Sequence, residues 1–198
     1  VLRYFDGLGA VRLIHSDQTA LLIEGANPAP TLKTWVQTGR DAEAIAVISQ
    51  VINELHRPRD SNPPQGIHTL RQHFAALFRV THQAPNHEYR KAANLADKLL
   101  QTTPDVHVLH GDIHHENILQ SNRGWLAIDP KGILGERTYD VANTLCNPLD
   151  ASDVVHDPNR VTLRAAQLAA AKASQDAQRA RLQDYVARNS ARASTAKQ

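Results

Sequence analysis

The sequence predicts an α+β chain, on three features. Short β-leaning segments come first, helical periodicities follow, and a hairpin pattern then gives way to helix-prone sequence. That order differs from the alternation of strand and helix that builds a parallel sheet. Aromatics are only 5% of the 198 residues, so the core is expected to rest on Leu, Ile, Val and Ala.

Residues 1–5, 10–16 and 19–24 lean to β structure. Asp6-Gly7-Leu8-Gly9 and Ser16-Asp17-Gln18 separate them, which predicts an antiparallel meander, since Asp-Gly supplies positive φ for a tight turn. Gly25-Ala26-Asn27-Pro28-Ala29-Pro30 breaks regular structure. A short helix is expected at 31–37, and Asp41 is expected to cap the next one. Ala44, Ile45, Ile48, Val51, Ile52 and Leu55 then follow helical spacing. Residues 58–66 read as a Pro-rich loop, and 70–80 and 89–101 as helices. After Thr103-Pro104-Asp105 the period changes to a strand at 106–109. Segments 117–119 and 125–128 flank the turn Ser121-Asn122-Arg123-Gly124 and predict a hairpin. Residues 139–145 are apolar again. Asp157-Pro158 opens a final helix-prone stretch, with Asp as N-cap and Pro in the first turn.

Composition excludes several classes. One cysteine, Cys146, cannot form an internal disulfide. No apolar run approaches the roughly 20 residues of a membrane helix, and no secretory signal pattern opens the chain, so a cytoplasmic protein is expected. The sequence contains no Met and starts at Val1, as a processed product or fragment would. Residues 160–198 carry eight Lys or Arg against two acidic residues, whereas 1–159 carry fourteen against eighteen. The mildly acidic body suits a cationic ligand better than nucleic acid. No nucleic-acid or membrane partner is expected.

The stretch His110-Gly111-Asp112-Ile113-His114-His115-Glu116-Asn117, followed by Ile128-Asp129-Pro130, carries chemistry. A carboxylate follows one strand, an amide comes five residues later, and a second carboxylate closes the hairpin. Phosphoryl transfer needs such parts: one acid to take the proton of the attacking hydroxyl, and an Asn and an Asp to hold Mg²⁺ against the phosphates. His110, Asp112 and Asn117 match the kinase pattern H-x-D-x-x-x-x-N, with Asp129 as the later acid.

The segments 110–119 and 125–143 resemble the aminoglycoside phosphotransferases, in the branch of streptomycin 6-kinases and hydroxyurea phosphotransferases. The run Ala127-Ile128-Asp129-Pro130-Lys131-Gly132, then Gly135-Glu136-Arg137-Thr138-Tyr139-Asp140-Val141-Ala142-Asn143, carries the likeness. Leu21-Leu22-Ile23-Glu24 resembles the strand entering a hinge, and Leu32-Lys33-Thr34-Trp35 the helix after it. The resemblance spans roughly residues 1–160 and implies a protein-kinase-like fold, mainly its helical C-lobe. Residues 1–26 would be the end of the N-lobe β-sheet and the hinge, 27–168 the C-lobe, and 169–198 an Ala-rich basic tail. It implies ATP and Mg²⁺ as cofactors, and transfer to a hydroxyl of a streptomycin-like aminoglycoside, an inactivation that confers resistance. Asp112 would be the catalytic base, and Asn117 and Asp129 the metal ligands. The hinge backbone at Glu24, Gly25 and Ala26 would receive adenine, and Glu136 would lie near the substrate. His110 and Asp140 would be structural support, Asp140 as a buried acid.

The sequence departs from that pattern too. Gly7-x-Gly9 lacks a third Gly, Arg12 standing there, and the first Lys, Lys33, follows the hinge. Hence the alternatives: a remnant unable to hold ATP productively, or a metallohydrolase built on Asp112, His114 and His115. Cys146 reads as a small buried residue, Trp35 and Trp125 as core, and His114 and His115 as loop packing.

Overall fold

The computed structural model describes residues 1–27, 29–83, 87–101 and 105–195, with backbone alone at 82–83, 179 and 182–195. The breaks expected at Pro28 and Thr103-Pro104 fall outside the described residues. In chain order the elements are α1 (Leu2–Phe5), β1 (Leu13–Ser16), β2 (Leu21–Ile23), α2 (Leu32–Gln37), α3 (Asp41–Leu55), β3 (His68–Thr69), α4 (Leu70–His73), α5 (Ala75–Gln83) and α6 (His87–Gln101). There follow β4 (Val106–Leu109), β5 (Ile118–Ser121), β6 (Gly124–Ala127), β7 (Ile133–Glu136), α7 (Tyr139–Leu145), α8 (Ser152–Val155) and α9 (Pro158–Thr195). This mixed architecture agrees with the α+β expectation.

One expected strand is a helix. Residues 2–5 form one turn, in which the Tyr4 and Phe5 N–H groups donate to the Val1 carbonyl. Phe5 is fully buried. The turn packs Leu2 and Phe5 into the core, which an exposed meander strand would not do. Strands β1 and β2 do pair antiparallel, with His15 opposite Leu22. Ile14, Leu21 and Leu22 are left exposed on this pair.

Helix α3 is the central beam. Its six apolar positions at helical spacing are all buried, on the order of 1.5–3 kcal/mol for each large aliphatic side chain. Asp41 does not cap it. It is the first helical residue, and its carboxylate turns to α9, accepting from Arg160 Nε at 3.1 Å, Arg160 Nη2 at 3.0 Å and Arg164 Nε at 2.7 Å. Burial opposes that charge, but the two guanidiniums outweigh it and hold the Asp41 carboxyl below its usual range. Farther along α9, Gln175 Nε2 donates to the Asn53 carbonyl and Asp176 accepts from Arg137. The helix runs uninterrupted through 168–169, and Asp157 receives the Asn159 N–H at its start.

The hairpin β5–β6 pairs Ile118 with Ala127 and Ser121 with Gly124. It is clasped from two sides: Ala127 exchanges backbone bonds with Gly9 and Val11, and Asn27 donates to the Gln120 carbonyl. A three-stranded sheet, ordered β3-β7-β4, sits beside it. Strand β7 is antiparallel to β4, with Leu109 opposite Ile133 and Val106 opposite Glu136, and parallel to β3. Trp35 and Trp125 meet edge to face, their centroids 5.3 Å apart, both half-buried against the core.

His115 is fully buried with neither ring nitrogen hydrogen-bonded. Burial first, then the Arg160 charge, pushes its pKa down to about 4. An unfolded histidine takes its proton at about pH 6.5. The stability that this neutral ring contributes is therefore complete above that pH and is lost as pH falls toward 4. His115→Leu should flatten the fall of the urea midpoint between neutral and mildly acid pH. Equal slopes in the two proteins would show that the ring does not titrate this way.

Candidate active site

Four segments converge on the loop between β4 and β5. Gly111 makes the turn at φ 85°, and a Cβ there would lie 2.7 Å from Ile133 Cδ1, so glycine is required. His110, fully buried, spans the loop and the hairpin. Its Nε2 bonds the Ile128 carbonyl at 2.8 Å, and its Nδ1 accepts the Asp112 N–H at 3.3 Å. These partners assign the Nε2-protonated tautomer, and burial pushes the ring's pKa down. A neutral imidazole thus ties the segment bearing Asp112 to the residue before Asp129. The Gly132 N–H to the His110 carbonyl and the Ile128 N–H to the Asn117 carbonyl complete the tie.

Asp112 projects from this loop with both carboxylate oxygens engaged. Lys131 Nζ lies 2.9 Å from Oδ2, and Asn143 Nδ2 donates to Oδ1 at 2.6 Å. Asn117 Nδ2 donates to the Asp112 carbonyl at 2.9 Å. Asp140 lies beneath, fully buried, accepting from the N–H groups of His110 and Gly111 at 3.1 and 2.7 Å and bonded to His56 Nε2 at 2.8 Å. Thr144 Oγ1 donates to the Ile113 carbonyl.

Two clefts flank the segment 129–131. One, about 280 Å³, is lined by Gly111, Asp112, Lys131, Tyr139, Asn143 and Cys146. The other, about 430 Å³, lies under β1 and β2, with Leu13, Ile23, Ile128 and Asp129 in its wall. Asp129 stands in the left-handed region at φ 56°, a conformation that Asp tolerates better than most residues. Asp112 and Asp129 therefore line neighbouring clefts.

The remaining expected positions lie farther out. Glu24 is braced by the hairpin turn, accepting from Arg123 Nε at 2.7 Å and from the Arg12 N–H at 3.0 Å. The Arg123 hydrogen bonds pull its carboxyl down to about 2. Among the described residues, Gly25 and Ala26 make no backbone–backbone hydrogen bond. Glu136 is at the far end of β7, about 10 Å along the strand from Ile133. It accepts from Thr138 and borders a larger apolar cavity of about 810 Å³, which shares Tyr139 and Ala142 with the Asp112 cleft.

Sequence reading missed the polar stripe of α7. Asp140, Asn143 and Thr144, with Asn147 just beyond, recur at i, i+3, i+4 and i+7, the spacing of one helix face. Asp140 alone is expected from the sequence, as a buried acid, and it is one; the rest of the stripe lies in a stretch read as apolar. It also misplaced Cys146, which is exposed in the Asp112 cleft rather than buried. The metallohydrolase alternative finds no support, since no group of three His, Cys, Asp or Glu among the described residues could hold a metal ion. Alkylating Cys146 with N-ethylmaleimide should go to completion on the folded chain and block the cleft. Mass spectrometry checks the labelling, and a half-time as long as that of a buried thiol would contradict the exposure.

The family described as aminoglycoside/hydroxyurea antibiotic resistance kinase matches residues 1–197. A streptomycin 3''-kinase of Klebsiella pneumoniae is 45% identical over 154 residues, covering 77% of this chain and 56% of that protein. A streptomycin 6-kinase of Streptomyces griseus is 29% identical over 174 residues, 82% of this chain and 54% of its own length. A hydroxyurea phosphotransferase of Kitasatospora aureofaciens is 31% identical over 163 residues, 77% and 47%. The chain spans about half the length of the curated relatives it matches.

Proposed function

Because the chain belongs to the aminoglycoside/hydroxyurea antibiotic resistance kinase family, we propose that it provides the acceptor side and metal ligands of an ATP-dependent phosphotransferase acting on a streptomycin-like aminoglycoside. The carrying observation is the placement of Asp112: its carboxylate lines a cleft while Asn117 and the His110–Ile128 bond tie its loop to Asp129. Asp112 takes the proton from the acceptor hydroxyl. The hydroxyl oxygen bonds to the γ-phosphorus as the bond to the ADP oxygen breaks in line, and ADP leaves.

Asn117 and Asp129 offer oxygen donors, and the His110 imidazole that bridges the Asp112 loop to Ile128 is occupied by backbone partners. That donor chemistry fits a hard cation such as Mg²⁺. When bound, the ion supplies positive charge against the phosphates. The Gly25–Ala26 backbone is the candidate adenine edge. Lys131 must yield Asp112 Oδ2 to the acceptor, and from there it faces the incoming phosphoryl charge.

The relatives' names include both 3''- and 6-kinases, so the acceptor position is to be read from the product. The test is ADP release across a panel of aminoglycosides and hydroxyurea, with the phosphorylated product analysed by mass spectrometry and NMR. Streptomycin-dependent ADP release is the expected result; no product with any acceptor overturns the reading. A second reading, a chain that folds but holds nucleotide weakly, draws on the apolar exposure of β1–β2 at Ile14, Leu21 and Leu22. Calorimetry with Mg·ATP separates the two: tight binding excludes the second.

A further inference from the structure

Asp112 is held unequally on its two sides. Lys131 approaches from solvent and is about half exposed, 54% of its side chain being accessible. Asn143 approaches from α7 and has a chain of partners behind it. Asn147, buried, directs Nδ2 to the Asn143 carbonyl at 2.8 Å and lies 3.4 Å from Asn143 Oδ1. A donor on that oxygen leaves Asn143 Nδ2 to face Asp112, so the amide has one sensible orientation. The carbonyl of Asn147 in turn accepts from Arg160 Nη2 at 3.1 Å. Arg160 also donates from Nη1 to the Leu145 carbonyl and from Nε and Nη2 to Asp41. Its three nitrogens are thereby all used, and it is buried at the start of α9.

We infer that Asn143 is the positioning residue for Asp112, and that the Arg160–Asp41 ion pair, through Asn147, sets its orientation. The inference rests on the reading of Asp112 as the base. An in-line transfer needs one carboxylate oxygen aimed at the acceptor hydroxyl, and misplacement by about 1 Å costs on the order of 10²-fold. The Asn143 bond fixes Oδ1 and with it the carboxylate plane. Oδ2 is left with the exposed, displaceable Lys131. Without the amide, the carboxylate turns freely about its terminal torsion and both oxygens become available to Lys131, which blocks the base. The relay also couples the α3–α9 contact to the geometry of the cleft.

The experiment compares the chain with Asn143→Ala and Arg160→Lys. Asn143→Ala should lower kcat on the order of 10²-fold with the acceptor KM changed less than about threefold. Its melting curve should stay cooperative, because Asn147 Nδ2 keeps its backbone partner. Arg160→Lys keeps the charge beside Asp41 but loses the fork, and should lower kcat in the same direction by a smaller factor. An unchanged kcat in Asn143→Ala, or a loss confined to KM, overturns the inference. Where the unaltered chain shows no turnover, the functional reading has failed instead, and side-chain ¹⁵N NMR decides the relay independently. Asp112→Ala must then move the Asn143 and Asn147 amide signals; unmoved signals overturn it.

Discussion

Replacing Asp112 with Asn is expected to lower aminoglycoside-dependent ADP release by about 10²–10⁴-fold, the range associated with a positioned general base. The substitution preserves shape and can keep one polar contact with Asn143, but it removes the proton acceptor and the partner of Lys131. Folding should be nearly unaffected, because the ion pair it breaks is partly exposed and such pairs contribute about 0–1 kcal/mol. The signature is a large kcat effect on a protein with an unshifted urea midpoint. Turnover within a factor of ten of the starting chain would remove Asp112 from the role of base. A lost midpoint would mean that the loop, rather than the chemistry, had been damaged.

Asp140→Ala should do the opposite, striking stability first. The Asp140 carboxylate satisfies His56 and two backbone N–H groups, all buried with it. Removing it strands those donors without water, and breaking such a buried arrangement costs about 3–5 kcal/mol. That is a large part of the roughly 5–15 kcal/mol by which domains are stable. Equilibrium urea unfolding reads the loss directly, and hydrogen exchange at His110 and Gly111 locates it. A change below about 1 kcal/mol would show that the loop holds itself without α7.

The parts of this molecule legible in the sequence were those encoded locally. The periodic face of α3, the hairpin around Arg123-Gly124 and the spacing from Asp112 to Asn117 depend on neighbours a few residues apart. What escaped depends on distant partners. Strand β3 has two residues and β7 four, and their pairing is with each other and β4, so no local alternation marks them. Residues 2–5 favour β structure by type, yet form a helical turn because the core takes Leu2 and Phe5. Asp41 looked like a cap until two arginines more than a hundred residues away claimed its carboxylate. Within the site, Asp112 was visible from its motif, but Lys131 and Asn143 as its two partners were not. Nothing in residue spacing says which cation or amide a loop will meet.

The stripe on α7 has a consequence for how this chain tolerates change in length. A helix advances about 100° per residue, so inserting or deleting one residue between Asp140 and Asn143 turns the rest of α7 through that angle relative to Asp140. The anchors of the Asp112 carboxylate, the Ile113 carbonyl and the Arg160 link would fall out of phase with the anchor of the His110–Gly111 backbone. Substitution at exposed Ala142 leaves that phase intact and alters only the wall shared by the two cavities. The segment behaves as a key cut at one pitch, intolerant of a shift by a single tooth.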